Sequence, residues 1–150
     1  MAKISKILVP VDLSSCSRSA LNQALSLARE LRATIQILHV TELPRFHKEP
    51  KVASEGGNVP LREYALAEAR AELSAFLEPI PAGEREKLAT IIEAGSPRES
   101  ILGHAKRDGY DLIVMGTHGR TGRVHALAGS VAESVVRMAP CPVLTVRDAG

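Results

Sequence analysis

The fold is decided by residues 6–40, KILVPVDLSSCSRSALNQALSLARELRATIQILHV. Lys6 to Val11 is a short apolar run rich in branched side chains, which predicts a strand covered on both faces of a sheet. Apolar residues then recur at helical spacing from Ser17 to Leu31, and Thr34 to Val40 again resembles a strand. A strand, a helix and a second strand in this order predict a parallel pair joined by a right-handed crossover.

The rest of the chain continues this alternation. Residues 61–77 have helical periodicity, and short apolar runs predict further strands at 88–92, 112–115 and 143–146. Five strands alternating with four helices predict an α/β fold, a three-layer sandwich around a mostly parallel sheet. Among the topologies that the crossover rules allow, we expect the strand order 3-2-1-4-5, a doubly wound, Rossmann-like arrangement with its switch point between strands one and four.

Two capping boxes mark the starts of helices. Ser96-Pro97-Arg98-Glu99 predicts a helix that continues to about Lys106, and Ser130-Val131-Ala132-Glu133 predicts one that ends near Met138. Residues 41–60 instead contain three prolines and two glycines and have no periodicity. We expect this segment to be a long, mobile loop within a single domain of residues 1–150.

Composition and charge exclude several classes of protein. The 150 residues suit one domain. The net charge is only +2, without a run of four like charges, which disfavours nucleic-acid and polybasic membrane proteins. Two Tyr, two Phe and no Trp are too few for a base-stacking surface. Because the amino terminus lacks the apolar stretch of a secretory signal and no apolar run is long enough to span a membrane, we expect a cytoplasmic protein.

Several catalytic and metal motifs are absent. The five histidines lack the spacing of metal ligands, and the sequence contains neither GxSxG nor GxxxxGK[ST]. Cys16 and Cys141 are far apart and form no CxxC motif, so we expect two reduced, structural thiols. These absences argue against a protein-built metal site, a serine hydrolase and a P-loop nucleotidase.

The predicted topology indicates where a ligand binds. In doubly wound sheets, ligands bind beyond the carboxyl ends of the strands that flank the switch point. Here those ends are followed by Asp12 and by a turn-rich stretch from Gly116 to Ser130. A carboxylate at Asp12 suits ribose hydroxyls or a metal, or else it caps the turn into the first helix, a role for which three nearby serines, Ser14, Ser15 and Ser17, compete.

The stretch after strand four has the properties of a phosphate cradle. Gly119 and Gly129, like Gly116 before them, let backbone approach a ligand. The Ser130 hydroxyl and the unpaired amides of the helix that it starts favour negative charge, although Ser130 can also be an N-cap without a ligand. Arg120 and Arg123 add charge-assisted bonds to outer phosphates unless they are simply solvated. His118 likewise either contacts the phosphates or is a solvated loop histidine.

Gly116 to Val146 resembles the carboxyl-terminal signature of the universal stress protein family. In that family the pattern Gly-x2-Gly-x9-Gly-(Ser/Thr) marks the ATP-binding branch, and the chain has it at Gly116, Gly119, Gly129 and Ser130. Three other segments resemble the family too: Lys6 to Asp12, Leu38-His39-Val40 and residues 139–146. The resemblance covers the chain except residues 41–60, and it implies a doubly wound fold and a role in the stress response.

The resemblance also implies a ligand and its contacts. It implies ATP with Mg²⁺ as the cofactor, with Asp12 against the nucleoside and the Val40 backbone at the adenine edge. The set of nucleotide-binding residues implied by resemblance and position is Pro10, Val11, Asp12, Val40, Met115, Gly116, His118, Gly119, Arg120, Gly129, Ser130 and Val131.

Two functions fit this site. The first is a regulatory ATP-binding protein with slow or no hydrolysis, because the cradle has no P-loop lysine and no evident base. The alternative is an enzyme that carries out adenylate or phosphate chemistry in the same crevice, with a substrate pocket under residues 41–60. A response regulator is excluded because no aspartate ends strand three, and a flavodoxin-like carrier because aromatic side chains are scarce. We also expect a homodimer through residues 143–146, an apolar edge strand without lysine.

Overall fold

A parallel sheet forms the centre of the computed structural model, which describes residues 3–118 and 129–148. The strands are β1 (Lys6–Val11), β2 (Thr34–Glu42), β3 (Lys51–Ser54), β4 (Gly57–Pro60), β5 (Ala89–Gly95), β6 (Leu112–Gly116) and β7 (Val143–Val146). Five of them form the main sheet in the order β5-β2-β1-β6-β7. This order is the predicted 3-2-1-4-5 and confirms the doubly wound topology.

Helices cover both faces of the sheet. They are α1 (Ser15–Leu31), α2 (Leu61–Leu77), α3 (Ala82–Arg85), α4 (Pro97–Asp108) and α5 (Ser130–Met138). One core joins Ile7 and Val9 of β1 to α1 and α2. The other joins Leu8 of β1 to α4 and α5. Because β1 is buried on both faces, its sequence is a continuous apolar run rather than an alternating one.

In the described part of the chain, no helix combines the length and apolar character needed to cross a membrane. Both cysteines are free thiols: Cys16 is buried and Cys141 is half-buried. Burial raises the pKa of the Cys141 thiol. These observations agree with the expectation of two reduced cysteines.

Residues 41–60 differ from the loop that the sequence predicts. β2 continues to Glu42 because Thr41 and Glu42 pair with Ala94 and Gly95 of β5. β3 and β4 form an antiparallel hairpin whose last pair is Ser54 with Gly57. The prediction of a segment without secondary structure was therefore wrong; the mobility of residues 41–60 stays a prediction.

The two predicted capping boxes have different outcomes. Ser96 caps α4 as predicted, since its hydroxyl accepts from the Glu99 amide at 3.3 Å. The box at Ser130 was wrong, because the N-cap of α5 is Gly129 and Ser130 is the first helical residue. The Glu133 amide donates to the Gly129 carbonyl at 2.9 Å, so the helix begins one residue before the box requires.

Candidate functional site

A cavity of about 710 Å³ lies at the carboxyl ends of β1, β2 and β6. Connections leave β1 and β6 towards opposite faces of the sheet, so the cavity lies at the switch point. Parts of α2, α4 and α5 complete its wall. Its size lies within the range of small-molecule sites, roughly 300–1,000 Å³.

The turn from β1 into α1 places Asp12 at this cavity. Asp12 Oδ1 accepts from the Ser14 amide at 3.0 Å. Leu13 between them has a left-handed backbone with φ of 68°. The N-cap is Ser14, whose hydroxyl accepts from the Ser17 amide at 3.1 Å. Of the alternatives for this turn, capping therefore belongs to Ser14, while Asp12 fixes the turn and also lines the cavity.

The end of β6 contributes Met115, Gly116, Thr117 and His118 to the wall. A Cβ on Gly116 would lie 2.9 Å from Cys16 Sγ and 3.0 Å from the Cys16 carbonyl carbon. The first turn of α1 therefore occupies the place of a side chain at Gly116. From the sequence we expected Gly116 to let backbone approach a ligand. The structure shows a second reason for a glycine here, which is the close packing of Cys16.

The amino terminus of α5 forms the opposite wall. The Gly129 amide donates to the Thr117 carbonyl, which joins the two ends of the stretch between them. The first amide to bond within the helix is that of Glu133. The amides of residues 130–132 therefore have no intrahelical acceptor, and the helix dipole adds partial positive charge at the same place.

Ten residues of the predicted set line this one cavity. They are Pro10, Val11, Asp12, Val40, Met115, Gly116, His118, Gly129, Ser130 and Val131. Gly119, Arg120 and Arg123 lie outside the residues that the structure describes. Topology alone thus brought together segments that are far apart in sequence; their contact with a ligand stays a prediction.

One wall of the cavity was not predicted from the sequence. It is formed by one face of α2, with Leu61, Tyr64, Ala65, Glu68, Ala69 and Glu72, and by His39 of β2. The α2 residues recur at intervals of three and four positions, the spacing of one helical face. The sequence predicted a helix over residues 61–77 from this periodicity, but it did not indicate that one face of the helix borders a cavity.

The charge on the cavity wall is negative. Its carboxylates come from Asp12, Glu42, Glu68 and Glu72, and no lysine or arginine lines it within residues 3–118 and 129–148. No group of three potential metal ligands occurs among the side chains that the structure describes. In that part of the chain, the amino terminus of α5 is a source of positive potential for an anion.

An ion-pair cluster around the buried His104 lies between α4 and β5, with a half-buried Glu93 and an exposed Asp108. His104 Nε2 donates to Glu93 Oε1 at 2.6 Å, and Nδ1 donates to Asp108 Oδ2 at 3.0 Å, which requires a protonated ring. Burial lowers the pKa of His104, but its hydrogen bonds to Asp108 and Glu93 outweigh burial, so the net pKa is raised. Burial raises the pKa of Glu93, and hydrogen bonds to His104 and Ser100 more than offset this, so the net pKa is lowered.

Comparison with known proteins places the chain in a family. Residues 3–147 match the universal stress protein family. The chain belongs to this family. Universal stress protein YxiE of Bacillus subtilis is 36% identical over 152 residues, covering 95% of this chain and 99% of the relative. Universal stress protein MJ0577 of Methanocaldococcus jannaschii is 29% identical over 153 residues, covering 95% of this chain and 94% of that one.

Solved universal stress protein structures have the same fold. UspA from Lactobacillus plantarum superposes with a TM-score of 0.74 at 26% identity, covering 98% of this chain and all of the other. An Arabidopsis thaliana family member with AMP bound has a TM-score of 0.65 at 22% identity, covering 97% of this chain and 93% of that one. A universal stress protein in complex with cAMP has a TM-score of 0.67 at 18% identity, covering 99% and 100%.

Proposed function

We propose that this universal stress protein binds ATP with Mg²⁺ in the cavity at the switch point. The observation that carries the proposal is the amino terminus of α5, which lines the same cavity as Asp12 and whose first amides have no acceptor within the helix. Such a terminus suits phosphates, and a carboxylate across the cavity suits ribose hydroxyls. The solved structures of this fold with AMP and with cAMP indicate that the fold can hold an adenine nucleotide.

The negative wall accounts for the magnesium in this proposal. ATP would place its phosphates in a cavity that four carboxylates also line, those of Asp12, Glu42, Glu68 and Glu72, and the like charges would repel one another. A divalent cation bound to the phosphates offsets this repulsion, and Mg²⁺ is commonly held by substrate phosphates together with one or two carboxylates. We therefore expect ATP to bind more tightly with Mg²⁺ than without it.

The role that we infer is regulatory, with slow or no hydrolysis. Asp12 and His118 are titratable side chains that line the cavity, and Asp12 already accepts a hydrogen bond from the Ser14 amide. His118 is held by a hydrogen bond of 3.0 Å between its Nδ1 and the Thr117 hydroxyl. The sequence has no GxxxxGK[ST] motif, so it lacks the lysine that P-loop nucleotidases place at the phosphates. An enzyme that uses the same crevice is the alternative, and turnover near the enzyme median of about 10 per second would support it.

Replacement of Gly129 by Val tests the cradle. The backbone at Gly129, with φ of −66° and ψ of 159°, is one that valine adopts readily, so the variant should fold. Its side chain would stand where the phosphates approach, and we expect the affinity for ATP to fall at least about tenfold, the equivalent of 1.4 kcal/mol. Calorimetric titration measures it.

Gly83→Val is the matched control, because Gly83 is exposed in α3 and a Cβ there meets no atom within 4 Å. It should bind ATP like the wild type. ATP affinity that is also unchanged in folded Gly129→Val contradicts the cradle.

We also propose a homodimer through β7. This strand forms one edge of the sheet, and an unpaired apolar edge favours pairing with a second copy. Val136 and Met138 on α5 and Leu144 on β7 are 54%, 45% and 36% exposed, and they are large apolar side chains. Pairing of two β7 strands about a two-fold axis would satisfy the open backbone groups.

The β6–β7 register indicates which residue tests the dimer. The Pro142 carbonyl accepts from the Ile113 amide of β6, and the Val146 carbonyl accepts from the Thr117 amide just after β6. The backbone groups of Leu144 therefore also face β6, and those of Thr145 face the open edge. Thr145→Pro should therefore abolish a β7-mediated dimer while the fold remains. Light scattering that shows a monomeric wild type, or a folded Thr145→Pro protein that remains dimeric, contradicts this interface.

A further inference from the structure

The cavity has a second half, on the face of the sheet that α2 covers. Side chains alternate along β2: Ile35 and Ile37 pack in the core with α1 and α2, whereas Leu38 and Val40 pack on the opposite face. His39 therefore points to the α2 side. The nucleotide proposed above is expected to use the strand ends, Val40 and the start of α5, which leaves the α2 half unassigned.

His39 presents a hydrogen-bond acceptor in this half. Its side chain is only 5% exposed. Nδ1 lies 2.8 Å from the Val11 carbonyl, and because a carbonyl can only accept, Nδ1 carries the proton. In the neutral ring Nε2 then has a lone pair, and no described residue donates to it.

The position of Nε2 follows from the burial of polar atoms. Every fully buried side-chain nitrogen or oxygen in the described part of the chain has a hydrogen-bond partner. Since Nε2 of His39 has none there, it must reach open space. His39 lines the cavity, so that space is the cavity, and a ligand with an N–H or O–H donor can meet Nε2 there.

The α2 wall limits the charge of such a ligand. Tyr64, Glu68 and Glu72 follow one another at intervals of four residues and line the same cavity. A polar group beside these carboxylates is favoured when it is positively charged. A protonated amine supplies both the positive charge and an N–H donor for Nε2. Mg²⁺ supplies the charge but prefers oxygen ligands to an imidazole nitrogen.

We propose that the α2 half of the cavity binds a small ligand with a protonated amine, which donates to His39 Nε2 and is balanced in charge by Glu68. Ala65 and the ring of Tyr64 provide an apolar surface for the carbon chain of such an amine. The binding of this amine does not depend on a bound nucleotide, although the negative charge of phosphates in the other half of the cavity would strengthen the binding.

Titration with cadaverine, followed by calorimetry and by the imidazole nitrogen shifts of His39, tests the proposal. The uncharged counterpart pentanediol is the ligand control. His39→Asn keeps an amide donor near the Val11 carbonyl but lacks the second ring nitrogen, and Glu68→Gln removes the charge alone. Each variant should weaken cadaverine binding by about tenfold, because a hydrogen bond or ion pair to a charged group is lost.

Glu63→Gln is the matched control, since Glu63 is an exposed residue in the first turn of the same helix and does not line the cavity. It should bind cadaverine like the wild type. The proposal is overturned if cadaverine does not bind, if pentanediol binds equally well, or if His39→Asn and Glu68→Gln bind cadaverine as tightly as Glu63→Gln does. ATP is titrated separately into each variant, so a failure of nucleotide binding is seen independently of a failure of amine binding.

Discussion

Replacement of Gly116 by alanine separates packing from ligand binding at the end of β6. The added Cβ would lie 2.9 Å from Cys16 Sγ, 3.0 Å from the Cys16 carbonyl carbon and 3.1 Å from its oxygen. The sulfur can move by rotation, but the two backbone atoms belong to the first turn of α1 and move only if the helix does. Overpacking of this kind costs about 1–3 kcal/mol, and we expect Gly116→Ala to lose that much free energy of unfolding.

Urea denaturation of the ligand-free protein measures this loss directly. In a domain of this size, 1 kcal/mol corresponds to a shift in Tm of about 2–4 °C. Gly103→Ala is the control, because Gly103 lies within α4 and a Cβ there has no neighbour within 4 Å. It should gain up to about 1 kcal/mol from the higher helix propensity of alanine.

A second substitution refines the prediction. In a Cys16→Ala background, Gly116→Ala no longer meets the sulfur but still meets the two backbone atoms. Relative to Cys16→Ala alone, it should therefore cost less free energy of unfolding than it does in the wild type, but not zero. If Gly116→Ala is as stable as the wild type without ligand, the packing explanation of this glycine is wrong.

Two further predictions concern charge and capping. Because the pKa of His104 is raised, the stabilisation from its ion pairs is complete below the ordinary value of 6.5 and is lost as the pH rises through the raised folded value. Because the pKa values of Glu93 and Asp108 are lowered, the same stabilisation is lost in acid, as the pH falls through their folded values. The stability advantage of wild type over His104→Gln should therefore be largest between the carboxyl and imidazole ranges, and an advantage that does not change across them in thermal melts contradicts the ion pairs. Ser14→Ala should lose about 1 kcal/mol because Ser14 caps α1, whereas Ser130→Ala should stay within about 0.5 kcal/mol; equal losses in urea would contradict the assigned N-caps.

The fold was predictable because its signals are local. The apolar run from Lys6 to Val11, the periodicity of α1 and the capping residue Ser96 each depend on neighbours in sequence, and the crossover rule then orders the strands. The hairpin in residues 41–60 was missed because Glu55-Gly56 is not one of the strongest two-residue turn signals. The start of α5 was misplaced by one residue because Gly129 caps through its backbone alone.

The candidate site was predictable where it depends on topology. Asp12 and Ser130 come together because the carboxyl ends of parallel strands meet at one edge of the sheet. His39 was not predictable as a cavity residue, since its alternation with Leu38 and Val40 assigns a face but not the hydrogen bond to Val11 that leaves Nε2 free for a ligand. The contact between Gly116 and Cys16 likewise exists only in the packed structure.

Calorimetric titration of the wild-type protein with ATP, with and without Mg²⁺, tests the central claim most directly. The account predicts saturable binding of one nucleotide per chain, tighter with Mg²⁺ because the wall of the cavity carries carboxylates and, in the described part of the chain, no lysine or arginine. The absence of saturable binding of ATP, ADP and AMP to the folded protein would contradict it.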